Sequence, residues 1–157
     1  MSLPYRAGVG VMLLNAQGEV FVAKRLDSTA EAWQMPQGGM DAGETPEQTA
    51  WRELAEETGV TKATLLAQSR DWLTYDLPDE LIPKVWGGNY RGQKQKWFVM
   101  RLDGDDSHIN IHTDHPEFSE WKWVPLRTLP DIIVPFKRTL YQQLIEEFEP
   151  VLQNAQN

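Results

Sequence analysis

Residues 38–60 read GGMDAGETPEQTAWRELAEETGV, and the rest of the chain is best read outward from them. Thr45 is placed to cap a helix, Pro46 suits its first position, and Gln48 completes a capping box. Gly59 supplies the stop. At about 100° per residue, Glu53, Glu56 and Glu57 fall within one arc of roughly 100°. Ala50, Trp51, Leu54, Ala55 and Thr58 take the arc beside and behind it. Like charges on adjacent turns repel. These also sit near the helix C-terminus, where the macrodipole disfavours anions. A hard divalent cation would compensate, since Mg²⁺ seeks carboxylate oxygens and completes its shell with waters and phosphates. Arg52 offers a second compensation by pairing with a neighbouring carboxylate. Taken alone, an E-x-x-E-E run is more often a solvated acidic face.

The chain around this segment has 157 residues, 41% of them apolar, which suits one domain with a substantial core. Seven tryptophans suit core and sheet positions. Cysteine is absent, which excludes disulfides, zinc–thiolate sites and thiol nucleophiles. The N-terminus reads as a strand and not a signal peptide, and no apolar run is long enough to span a bilayer. A cytoplasmic protein with no membrane partner is expected. The net charge of −8 argues against an extended nucleic-acid surface but allows binding of one phosphorylated end.

Residues 7–14 and 19–24 alternate as a hairpin around Asn-Ala-Gln-Gly, and residues 64–68, 72–77, 96–102 and 121–124 read as further strands. Residues 32–43, with Pro36 and three glycines, and residues 79–92 read as loops. Phe136, Leu140, Leu144 and Phe148 recur every four residues, so a second, amphipathic helix is expected from near Pro135. The expected domain is 3–150, followed by a short polar tail at 151–157 that frays. His108, His112 and His115 match no zinc spacing and read as surface residues.

The segment from Gly38 resembles the signature of the Nudix hydrolase superfamily: Gly38, Glu44, Arg52, Glu53, Leu54, Glu56, Glu57, Gly59 and Val60 fill every specified position. By average residue usage the chance of such a match is on the order of one in 10⁹ per starting position, so the acidic run is not a mere surface feature. The resemblance implies a Nudix fold, an α/β/α sandwich with a mixed β-sheet and a loop–helix–loop metal site. It assigns Glu53, Glu56 and Glu57 to metal binding, with Gly38 in the same loop, and Mg²⁺ as cofactor, with Mn²⁺ or another divalent ion able to substitute. Glu44 and Arg52 match positions that brace loop and helix. Gly38 and Gly39 let the loop backbone approach helix and phosphates. Glu57, or a glutamate of residues 112–120, is the expected base toward water.

Further stretches resemble the bacterial RNA pyrophosphohydrolases and diadenosine tetraphosphate hydrolases: Tyr5-Arg6, residues 33–39, residues 92–98, Pro116-Glu117-Phe118 and Phe136-Lys137-Arg138. That resemblance makes Glu117 a distal metal ligand or base, with Glu120 the bystander. Substrate-binding candidates are Arg6, Arg25, Lys94, Lys96 and Lys137 for phosphates, and Tyr75 and Phe136 for stacking on a base. Lys94 and Lys96, two apart, share one strand face. Two departures stand out. The tail is short and uncharged, and residues 27–32 form a longer segment than in some relatives. The implied partner is the 5′ end of triphosphorylated RNA or a dinucleoside polyphosphate. A housecleaning hydrolase of diadenosine polyphosphates or free nucleotides is the alternative. A non-catalytic Nudix-like regulator, from another class, is disfavoured because every signature glutamate is intact.

Overall fold

The structure, a computed structural model, describes residues 3–26, 32–114 and 116–155. His115 and most of the 27–32 segment lie outside the described residues. The strands are β1 (Tyr5–Leu14), β2 (Val20–Arg25), β3 (Gln37–Gly39), β4 (Ala63–Gln68), β5 (Leu73–Asp76), β6 (Gly92–Leu102) and β7 (Phe118–Val124). The helices are α1 (Pro46–Thr58), α2 (Leu129–Ile132) and α3 (Arg138–Ala155). The sheet runs β4-β6-β1-β2-β7, with β3 also on β1 and β5 also on β6. Strands β1 and β6 pair in parallel and the other pairs are antiparallel, so the sheet is mixed.

Alternation along β1 sorts the core onto two faces. Val9, Val11 and Leu13 join Phe98, Met100, Ala50 and Leu54 under α1. Met12 and Leu14 join Trp97, Val99, Leu140, Leu144 and Phe148 under α3. The result is an α/β/α sandwich with a mixed sheet, as expected.

Helix α1 begins as its sequence dictates. Thr45 Oγ1 accepts from Gln48 N at 3.2 Å and Gln48 Oε1 accepts from Thr45 N at 2.9 Å. Such a cap contributes about 1 kcal/mol. Gly59 closes the helix with φ of 74°, a left-handed value that glycine adopts without strain.

Four expectations need correction. Residues 37–39 are not loop, because Gln37, Gly38 and Gly39 pair with Gly10, Val9 and Gly8 of β1. Strand β6 begins at Gly92, not 96, and pairs with β5 there. Phe136 is not in the amphipathic helix; it sits in a 3₁₀ turn, Pro135–Lys137, ahead of α3. Residues after Pro150 do not fray at once, since α3 passes through Pro150 to Ala155. An interior proline costs about 3 kcal/mol. Leu152, 5% exposed in the core, with Val151 packed beside it, offsets most of that through burial worth about 1.5–3 kcal/mol per side chain.

Candidate active site

Helix α1 lays its carboxylates against β3. A Cβ at Gly38 would collide with the Glu53 carboxylate, and one at Gly39 with the Arg6 guanidinium, so glycine is what permits both approaches. Glu57, 6% exposed, receives the Gln37 backbone N–H at 3.1 Å. Burial pushes the Glu57 carboxyl well above the usual range, and the nearby Glu53 and Glu117 charges push it further. Burial also raises Glu53, against the pull of Arg52. Glu56 is half exposed.

Arg52 ties this cradle together. It donates to Glu44 at 2.7 and 2.9 Å, to Glu53 at 2.8 Å, to Glu56 at 3.2 Å and to the Gly39 carbonyl at 3.0 Å. The bond from Arg52, with one from the Asp41 backbone, holds Glu44 down to about 2. Glu44 is thus a fixed anion joining helix to loop. Glu117 approaches Arg25 at 3.9 Å and Glu120 approaches Lys24 at 3.5 Å. The Glu117 charge raises the Glu53 and Glu57 carboxyls.

Among the described residues no three carboxylate or imidazole groups converge into a ready cage. The donor set nevertheless suits a small, hard cation, which is usually held by one or two carboxylates plus waters and phosphates. Glu53 raises the proton affinity of buried Glu57, and Glu56 and Glu117 raise that of partly buried Glu53, a conflict that a cation among them would relieve. His108 and His112 are exposed on the surface, as expected.

On the other face of the sheet lies a cavity of about 550 Å³, lined by Arg25, Gln34, Gln37, Tyr75, Trp86 and Lys137 among others. Tyr75 and Phe136 meet at 5.9 Å between ring centroids, tilted by 43°. Lys137 Nζ lies 4.9 Å from the Tyr75 ring centroid, and Arg6 lies 5.2 Å from that of Trp86. Lys137 is only 7% exposed, and burial lowers its ammonium to about 7, with Arg25 adding to the effect. Arg6, Arg25, Tyr75, Phe136 and Lys137 therefore gather here.

Lys94 and Lys96 do not. They alternate on β6 with Gln93, Gln95 and Trp97, whose side chains face the cavity side, so the two lysines project from the opposite face. Both sit over Trp72, at 5.4 and 6.0 Å, and Lys96 Nζ donates to the Arg70 carbonyl at 3.0 Å. The sequence reading missed Gln34, Gln37, Lys84 and Trp86 as cavity residues. The available signals were a tryptophan inside the 79–92 loop and the 33–39 stretch, which holds both glutamines.

Comparison with known proteins agrees with this architecture. The NUDIX domain model matches residues 4–144. An RNA pyrophosphohydrolase of Rhodospirillum rubrum is 59% identical over 145 residues, covering 92% of this chain and 87% of that protein. Those of Roseobacter denitrificans and Rickettsia typhi are 58% and 54% identical, covering 94% and 98% of this chain and 93% and 95% of their own. Among solved structures, the E. coli dihydroneopterin triphosphate pyrophosphohydrolase superposes with a TM-score of 0.69 at 19% identity, covering 92% of this chain and 99% of that one. A C. elegans Ap4A hydrolase complex gives 0.67 at 19%, covering 92% and 98%. At such identities these two likenesses speak for the fold. The chain belongs to the Nudix hydrolase family.

Proposed function

We propose that this chain is an RNA pyrophosphohydrolase: it cleaves the anhydride between the α- and β-phosphates of a 5′-triphosphorylated RNA. Water is consumed, pyrophosphate leaves, and the RNA keeps a 5′-monophosphate. The observation that carries the reading is Arg25. It lines the cavity and its guanidinium lies 3.9 Å from the Glu117 carboxylate, so one residue links the nucleoside-sized pocket to the carboxylate side. Relatives 53–59% identical across 92–98% of the chain carry the name RNA pyrophosphohydrolase, which supports the substrate class.

Glu53, Glu56, Glu57 and Glu117 are the residues that would hold Mg²⁺, or Mn²⁺ in its place, with the Gly38 backbone beside them. Such an ion neutralises charge on the phosphate oxygens during cleavage. Arg52 keeps Glu53 and Glu56 in place and prevents the acidic helix face from splaying. Glu57 or Glu117 takes the proton from the attacking water. Arg25 and Lys137 bind phosphates, with Arg6 near the cavity wall, while Tyr75 and Phe136 pack against the first nucleosides. The reading places the work in the cytoplasm; no helix among the described residues is long and apolar enough to cross a membrane.

A second substrate, a dinucleoside polyphosphate, offers the same linkage to the same cradle. Measuring kcat/KM on a short triphosphorylated RNA and on diadenosine tetraphosphate separates the two. The RNA is expected to be preferred. A clear preference for diadenosine tetraphosphate would overturn the assignment and leave the chemistry standing.

A further inference from the structure

We infer that Trp97 and Gln95 act as positioning residues that fix the amide polarity of Gln37, so that the cavity reads hydrogen-bond acceptors on its ligand. The inference rests on the cavity being the nucleotide site proposed above.

The Trp97 indole N–H can only donate. It points at Gln95 from within the core, where Trp97 is wholly buried, and the Nε1 to Oε1 distance is 3.0 Å. Gln95, also wholly buried, must therefore turn its carbonyl oxygen to Trp97 and its amide nitrogen away. That nitrogen donates to Gln37 Oε1 at 2.9 Å and to Gln93 Oε1 at 2.7 Å. The Tyr75 hydroxyl donates to the same Gln93 oxygen at 3.3 Å. Both glutamines are thus held with oxygens inward. Gln37 is left to present its amide hydrogens toward the cavity, whose wall it shares with Tyr75.

A second observation agrees. Gln34 lines the same cavity, is 7% exposed, and its Nε2 has no hydrogen-bond partner among the described residues. A buried donor left unmade costs about 1–3 kcal/mol, so its partner is expected to arrive with a ligand. The charged side chains of the lining are Arg25, Lys84 and Lys137, which as cations only donate, and no carboxylate is among them. The ligand atoms that satisfy this wall are acceptors: phosphate oxygens or base carbonyls. Side-chain acceptors for a donor-bearing edge are few there, the Tyr75 hydroxyl and the Gln34 amide oxygen.

The test is a cycle of Gln95→Met, Gln37→Met and the double variant, assayed on a triphosphorylated RNA beginning with two guanosines. Each single variant is expected to raise KM about fivefold, the loss of one neutral hydrogen bond, with kcat within about twofold. If Gln95 acts through Gln37, the double variant is no worse than Gln37→Met alone. Multiplied losses in the double variant would overturn the inference, because a structural role for Gln95 would persist without Gln37. If Gln95→Met fails to fold, Gln37→Met, at the part-exposed mouth, still decides: an unchanged KM overturns the inference. Repeating the assay with 2-aminopurine in both guanine positions removes the base carbonyls. A Gln37→Met penalty that then vanishes assigns the acceptor to the base, and one that stays assigns it to phosphate. If the unaltered protein does not turn over the RNA at all, the proposed function has failed; the polarity argument is then tested by competition binding of guanosine monophosphate to the same variants, with equal affinities overturning it.

Discussion

The carboxylate cradle and the donor-lined cavity meet at Arg25 and carry opposite electrostatics. In the cradle, the proton affinity of partly buried Glu53 and buried Glu57 rises first because burial penalises the charge and then because other carboxylates crowd it. In the cavity, Lys137 is a buried cation whose proton affinity falls for want of water. Each half is uncomfortable alone. A divalent ion relieves the first and a polyphosphate relieves the second, and the ion and the phosphate attract each other. On the proposed function, two ligands of opposite charge would complete the site, which suits a metal-assisted attack on a phosphoanhydride.

The hardest way to break this comparison is to remove charge from the cradle. Glu53→Gln and Glu57→Gln are each expected to lower kcat at least about a hundredfold at saturating metal. The fold should survive, since relieving like-charge repulsion costs the helix little. Near-normal turnover in either purified variant would sink the assignment of the cradle. In the same series Glu117→Ala should lose a substantial part of kcat, and Glu120→Ala, whose partner is Lys24, should lose little. A reversal of that order would mean that the 112–120 segment serves the site through the other glutamate.

The two halves also differed in how far the sequence revealed them. The cradle is local: a capping box, a glycine stop and three glutamates on adjacent turns specify it within residues 38–60, so periodicity alone brings Glu53, Glu56 and Glu57 together. The cavity is assembled from residues far apart in the chain, among them Arg25, Tyr75 and Lys137. Spacing along the chain carries no signal for such a gathering. Lys94 and Lys96 show the cost: two lysines on one strand face were legible, but which face was not, because that depended on the register of β6 against β1. Strand β3 escaped for a related reason. Three residues with two glycines look like loop until a partner strand is placed beside them.

On the basic side, Lys137→Met is expected to separate stability from binding. Burial holds the folded ammonium near 7, well below lysine's ordinary range. Below about pH 7 both folded and unfolded chains carry the charge and the whole burial penalty stands; as pH rises from there toward 10, only the unfolded chain keeps the proton, and the folded state gains. Replacing the lysine should therefore stabilise the free protein by roughly 1–3 kcal/mol at pH 6, with the advantage shrinking as pH rises. KM for the RNA should rise about tenfold, since a charge-assisted bond is lost. Denaturant unfolding at pH 6 and 9 checks the first claim. A variant less stable than the unaltered protein at pH 6 would mean that Lys137 is compensated in a way the cavity does not reveal.

The smallest effects are expected from Lys94 and Lys96. They leave the sheet on the face away from the cavity, stand over Trp72, and Lys96 is engaged by the Arg70 carbonyl. Lys94→Ala and Lys96→Ala should therefore change KM by less than about twofold, within the range of surface substitutions. The same geometry limits the RNA footprint. The cations gathered at the cavity are few, Arg25, Lys84 and Lys137 with Arg6 beside them, and the chain as a whole carries −8. Few neutralised phosphates mean a shallow dependence of affinity on salt. Lengthening the RNA beyond a handful of nucleotides should scarcely lower KM. The decisive measurement is KM against RNA length at two salt concentrations, in the unaltered protein and in both lysine variants. A KM that keeps falling with length, steeply salt-dependent and flattened by Lys94→Ala or Lys96→Ala, would make the Trp72 face an extension of the RNA path and give the two lysines back the phosphate role that their position argues against.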